Sequence, residues 1–106
     1  MKREIKFRVW DNDNYMSSPF DLVELQTQKI GFTKECIIMQ YTGLKDKNGK
    51  EIYEGDILSY FGGVDVIGFK YGHFCIIYSE DDSFDIPVDA DIEVIGNIHE
   101  NPELLK

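Results

Sequence analysis

Polar and apolar residues alternate from the start of the chain. Across residues 4–10, Ile5, Phe7 and Val9 fall on one face and Lys6 and Arg8 on the other, which predicts a half-buried strand. Trp10 breaks the phase and opens Asp11-Asn12-Asp13-Asn14, a loop by composition. In residues 20–26 the apolar positions 20, 22, 23 and 25 fit either a strand or a short helical turn, and the segment is assigned to a strand. A polar linker over 28–34 precedes residues 35–41, a continuous apolar run rich in β-branched side chains. That run predicts a strand buried on both faces.

The densest local instructions lie in residues 39–58. Gly43 marks the end of the preceding strand, and Asp46-Lys47-Asn48-Gly49 predicts a tight hairpin, because Asn and Gly reach positive φ with least strain. Such a hairpin brings Tyr41 and Leu44 close to Ile52 and Tyr53. Gly55 turns the chain again, with Asp56 placed to bond turn amides, before a strand over 56–61. Gly62-Gly63 and Tyr71-Gly72 then separate strands over 64–70 and 73–78, giving an antiparallel meander. Gly68, inside the second of these, points to a bulge or sharp bend. Residues 84–88 can only be an edge strand or extended segment, since Pro87 cannot donate to a ladder. The last strand spans 91–98, with a slip in phase at Gly96. Asn101-Pro102 then reads as a helix start with room for at most one turn.

Three stretches carry a resemblance: Lys6-Phe7-Arg8-Val9-Trp10-Asp11 at the start, residues 39–57 in the middle, and Val94-Ile95-Gly96-Asn97-Ile98-His99-Glu100-Asn101-Pro102-Glu103-Leu104 at the end. Together, and in this order, they resemble the YopX family of small phage and prophage proteins. The resemblance implies a mainly β domain related to SH3-type barrels and a phage origin. It brings no established activity, so it supplies no catalytic residue. The expected architecture is a single domain over 1–106. It is mainly β, a small antiparallel, partly closed SH3-like barrel with a long hairpin and a short C-terminal helical turn.

Composition refines this picture. At 106 residues the chain can form one core, and 42% hydrophobic with 13% aromatic residues argues for a globular protein. Twenty acidic against eleven basic residues leave a net charge of -9. Between Lys70 and Lys106 there is no Lys or Arg, while Glu80, Asp81, Asp82, Asp85, Asp89, Asp91, Glu93, Glu100 and Glu103 fall there. Polyanion binding depends on basic residues that release counterions, so nucleic acid and anionic lipid are disfavoured and a basic partner is favoured. With no charged-then-apolar leader and no apolar run near ~20 residues, the expected location is the bacterial host cytoplasm. Cys36 and Cys75, each inside an apolar run, are expected to be buried free thiols.

Candidate chemistry is sparse. His73 and Cys75 share a strand face and could form half a zinc site, but completing it would require Cys36 or His99 from elsewhere in the fold. Asp11-Asn12-Asp13-Asn14 lacks the glycine and distal Glu of a calcium loop. No nucleophile, acid–base pair or phosphate loop stands out, so no catalytic residue, metal or cofactor is assigned and the protein is expected not to be an enzyme. The residues singled out for partner binding are Tyr41, Tyr53, Tyr60, Asp81, Asp82 and Asp85. They match a protein partner, either a second copy in a homo-oligomer or a basic host factor. The rival reading is a nucleic-acid-binding small β-barrel that uses Lys2, Arg3, Lys6 and Arg8 with Lys45, Lys47 and Lys50.

Overall fold

The computed structural model describes residues 4–11, 15–26, 36–60, 63–79, 82–87 and 91–105. The expected loop at 12–14, the linker at 28–34, the turn residue Gly62, and Asp81 and Asp89 lie outside these. The elements are β1 (Phe7–Asp11), β2 (Tyr15–Met16), helix α1 (Leu22–Gln26), β3 (Cys36–Lys45), β4 (Glu51–Tyr53), β5 (Asp56–Tyr60), β6 (Gly63–Lys70), β7 (His73–Ile77), β8 (Ser83–Asp85) and β9 (Glu93–Asn97), followed by a 3-10 turn at Pro102–Leu105. They make two curled antiparallel sheets that form a half-barrel, in the orders β2-β1-β3-β4 and β8-β7-β6-β5-β9. The mainly β, antiparallel, partly closed architecture is the one expected.

The β3–β4 hairpin forms about Asn48 and Gly49, and Tyr41 pairs with Tyr53 as predicted. Its turn differs from the tight form, because only Gly49 takes a positive φ, at 81°. The Asp46 carbonyl accepts from Gly49 N at 3.0 Å and the Asp46 amide donates to Lys50 O at 2.8 Å, a three-residue loop closed by a glycine bulge. The mirror-image tight turn falls at Tyr71-Gly72 instead, where both residues are left-handed, at 53° and 83°. Gly43 does not end its strand. It has φ 89° inside β3, within the irregular register between Tyr41 and Lys45.

Two other assignments are corrected. Residues 22–26 are helical, and a reciprocal cap explains why: Glu24 N donates to Asp21 Oδ1 at 2.8 Å while Asp21 N donates to Glu24 Oε1 at 3.2 Å. The strand read as buried on both faces is not, since Ile37 and Ile38 are 47% and 55% exposed. That half of β3 pairs with β1 and extends beyond the core.

Gly68 pairs in regular register with Cys75, so it marks no bulge. A Cβ at this position would lie 2.3 Å from Ile77 Cδ1, so the glycine makes room for that side chain. Gly68→Ala should therefore cost about 1–2 kcal/mol by overpacking, read as a lower urea midpoint; an unchanged midpoint would refute the packing argument. The bulge sits in β9, where Ile57 faces Gly96 and Leu58 faces Val94, leaving Ile95 as the extra residue at the predicted slip.

The core is Ile52, Leu58, Ile67, Ile76, Ile86, Ile92 and Val94, drawn from the hairpin and the inner face of the five-stranded sheet. The hairpin tip is bound to β9: Lys47 N donates to Ile92 O at 3.0 Å and Val94 N to Asp46 Oδ2 at 2.9 Å. At the C-terminus Pro102 opens the single helical turn as expected. Asn101 turns its side chain backward to accept from Asn97 N at 3.2 Å, and Asn97 Oδ1 accepts from His99 and Glu100 N in the separate turn that precedes the helical one. Both cysteines are free; Cys75 is buried and Cys36 half-buried. No helix among the described residues is long and apolar enough to cross a membrane.

Candidate functional site

Two regions hold unusual chemistry, one closed and one open. The closed one lies where β1 crosses the hairpin. Directly opposed residues of antiparallel strands share a face, so Arg8 opposite Met39, and Tyr41 opposite Tyr53, put Lys6 and Arg8 beside both tyrosines. Arg8 Nη2 donates to Asp56 Oδ1 at 2.5 Å, with the side chains only 12% and 2% exposed. The second oxygen of Asp56 accepts from Tyr53 N at 2.8 Å, the turn-amide role expected of it. Burial pushes the Asp56 carboxyl up, while the Arg8 guanidinium and the Tyr53 amide pull it down. The guanidinium also lies 4.7 Å over the Tyr53 ring.

Beside it, Lys6 pairs with Glu51, and with Glu4 at 2.9 Å, and stands 5.1 Å over the Tyr41 ring. Hydrogen bonds donated to Glu51 and then Glu4 hold its ammonium above the usual lysine range. Trp10 stacks on His99 at 5.5 Å, and burial, then the Arg8 charge, lowers the His99 pKa. Of the residues singled out for partner binding, Tyr41 and Tyr53 therefore belong to the interior, at 4% and 3% exposed, and offer a partner no surface. Alternation alone turns Lys6 and Arg8 toward solvent. Both are engaged in ion pairs here, which removes them from the basic group proposed for phosphate contact. Lys2 and Arg3 lie outside the described residues.

The open region is the inner face of the five-stranded sheet where the half-barrel fails to close. Buried Ile67 and Ile76 continue along the same face into Phe69 and Phe74, whose rings meet edge-to-face at 5.1 Å, with Phe69 54% exposed. A shallow cleft of about 580 Å³ adjoins them, lined by Thr42, Leu44, His73, Phe74, Asp85 and Ile86. At the other end Phe84 packs between Tyr60 and Tyr78, at centroid distances of 5.3 and 5.5 Å, and Tyr78 is 51% exposed. Tyr60 donates its hydroxyl to Asp65 Oδ2 at 2.5 Å. Burial, then Asp65, pushes the Tyr60 phenol up to about 12, so it remains a donor at neutral pH.

Asp82 and Asp85 are exposed on the loop and strand that follow Tyr78, and Asp85 Oδ1 meets His73 Nε2 at 3.1 Å. Tyr60 thus lies on the open face, Asp85 stands at the rim of the cleft in the opposite strand phase from Phe84, Asp82 is exposed in the loop after Tyr78, and Asp81 lies outside the described residues. Asp65 was missed by sequence reasoning. The available signal was its place in the inward phase of β6, two residues before Ile67. His73 and Cys75 gain no third ligand, and among the described residues no group of three His, Cys, Asp or Glu is placed to hold a metal ion.

A family model for YopX protein matches residues 21–106, which include the hairpin, the turn at Gly55 and the whole open face. The chain belongs to the YopX family. A crystal structure of protein EF1440 from Enterococcus faecalis is similar to this YopX chain over 99% of its length and 100% of the other, with 29% identity and a TM-score of 0.69. No curated protein matches it significantly. Within this YopX fold, the two motif-bearing ends meet the central motif at the closed cluster: Arg8 from the first, Asp56 and Tyr53 from the second, His99 from the third. The motif residues therefore account for packing, and the open face is built largely from the segments between them.

Proposed function

We propose that this YopX-family chain is a non-enzymatic accessory protein of phage or prophage origin that acts in the bacterial cytoplasm by binding protein, either itself or a host factor. The observation that carries the reading is the pair of aromatic patches left open at the two ends of the inner face, Phe69 with Phe74 and Tyr78 with Phe84, on either side of buried Ile67 and Ile76. Exposed aromatic surface of this kind marks interaction sites, because its burial is the main source of association free energy. An edge strand, β8, runs alongside, with no neighbour on its outer side among the described residues. A protein partner is supported over nucleic acid by the net charge of -9 and by the internal pairing of Lys6 and Arg8.

A photo-reactive benzoyl-phenylalanine in place of Phe69 tests the reading in bacterial cells carrying the phage or prophage. The expected result is a discrete cross-linked polypeptide from position 69 and none from the same probe at Tyr15, on the far sheet edge. Absence of any cross-link at position 69, together with monomeric sedimentation of the pure protein, would overturn it.

A further inference from the structure

The Tyr60–Phe84–Tyr78 end of the open face has a feature that apolar burial does not explain. Asp65 is a half-buried carboxylate on an otherwise aromatic and aliphatic face, opposite Leu58 and in phase with Ile67. Its hydrogen-bond partner is the Tyr60 hydroxyl, and among the described residues no Lys or Arg reaches it within ion-pair distance. With one neutral protein donor on one of its oxygens, this half-exposed carboxylate keeps acceptor capacity for a further donor. Tyr60, whose phenol is fixed on the carboxylate, packs on Phe84, and Phe84 packs on Tyr78, which is half open to solvent. Negative ring faces beside a carboxylate suit a cation, and a planar guanidinium matches both, stacking on the rings while forking onto the acid.

We infer that Tyr60, Asp65, Tyr78 and Phe84 form a receptor for an arginine side chain carried on an extended segment of a partner protein that pairs with the outer edge of β8. The inference rests on the protein-binding reading above and adds the partner's chemistry. The geometry of the edge supports the strand. Phe84 is the central residue of β8 and opposes Ile76 on the inner face, so a residue of an added strand opposite Phe84 projects onto that same face, toward the rings and Asp65. The surrounding charge favours the same occupant: Asp82 is exposed beside Tyr78, and no Lys or Arg occurs between Lys70 and Lys106.

The test is titration of isotope-labelled protein, followed by amide NMR shifts, with the acetylated, amidated peptide Thr-Val-Arg-Val-Thr and the same peptide with citrulline for arginine. Saturable shifts at Ser83–Asp85 and Asp65 are expected with the arginine peptide, and affinity at least about ten-fold weaker with citrulline, the loss of one charge-assisted pair. Asp65→Asn should weaken arginine-peptide binding by a similar factor. Asparagine still accepts the Tyr60 hydroxyl, and an unchanged unfolding midpoint shows that the fold is kept. Equal binding of citrulline, undiminished binding by Asp65→Asn, no binding, or shifts away from β8 would each overturn the inference. If the peptide fails while Phe69 still cross-links a partner, the arginine receptor falls and protein binding stands. If both fail, both fall.

Discussion

Arg8→Met should destabilise the protein by about 3–5 kcal/mol at neutral pH, the cost of leaving one partner of a buried ion pair uncompensated. Arg8 and Asp56 bridge β1 to β5, forty-eight residues apart, and Asp56 is almost wholly enclosed. Without the guanidinium its carboxylate keeps the Tyr53 amide and little else. The penalty belongs to the stranded charge, so a second change should relieve it. Arg8→Met with Asp56→Asn should be more stable than Arg8→Met alone, because asparagine still accepts from Tyr53 N and carries no charge. The pair is not an ideal one even when intact, since Arg8 Nε is buried with no partner.

A pH series separates this from simple loss of packing. Burial already raises the Asp56 carboxyl in the folded protein, and removing Arg8 raises it further. A carboxyl raised on folding favours the folded state below its unfolded pKa of about 3.9, and that advantage is lost as pH rises through the folded value. The gap between Arg8→Met and the parent should therefore be widest at neutral pH and narrow toward acid. Urea midpoints followed by Trp10 fluorescence measure it; a single-variant loss below about 1 kcal/mol would refute the ion-pair account.

Asp46→Asn should cost about 2–4 kcal/mol, although it alters one atom, because the carboxylate serves three backbone amides. Oδ1 accepts from Asn48 and Lys50 N, each at 2.9 Å, and Oδ2 accepts from Val94 N at 2.9 Å. Either orientation of an asparagine amide points an N–H at an N–H, losing one bond or two and leaving a donor unpaired. The buried Val94 amide is the most expensive to strand, since water cannot replace the acceptor. Burial alone would raise the Asp46 carboxyl, but the Val94, Lys50 and Asn48 amides outweigh it and hold the group below its usual range. Its contribution is thus fully present above the unfolded carboxylate pKa of about 3.9 and is lost as pH falls through the lower folded value. The difference between Asp46→Asn and the parent should shrink in acid, and a constant difference across that range would contradict the three-amide account.

What the sequence made legible was local. The turn at Asp46–Gly49, the break at Gly55, the meander from β5 to β7 and the slip at Gly96 are written in residues a few positions apart, where turn chemistry and alternation decide the outcome. Helix α1 is also written locally, in Asp21 and Glu24, but its apolar positions suit a strand equally, and only the reciprocal cap decides between them. Arg8 was misplaced for a different reason. Alternation shows that one face of a strand is apolar; it does not show that a distant hairpin will cover the other. The same limit hid Asp65, whose significance depends on Tyr60, Tyr78 and Phe84 arriving from three other places in the fold.

The pairing of β1 with residues near the middle of the chain has a consequence for synthesis. A polypeptide emerges in order at about 5–20 residues per second, so Phe7–Asp11 leaves the ribosome well before Cys36–Lys45 and Asp56, its eventual neighbours. During that interval Arg8 has no acid to meet and Val9 no core to enter. The nascent first strand can pair with β2 on one side but is left with an unsatisfied edge on the other, a natural target for a chaperone until the hairpin follows it out.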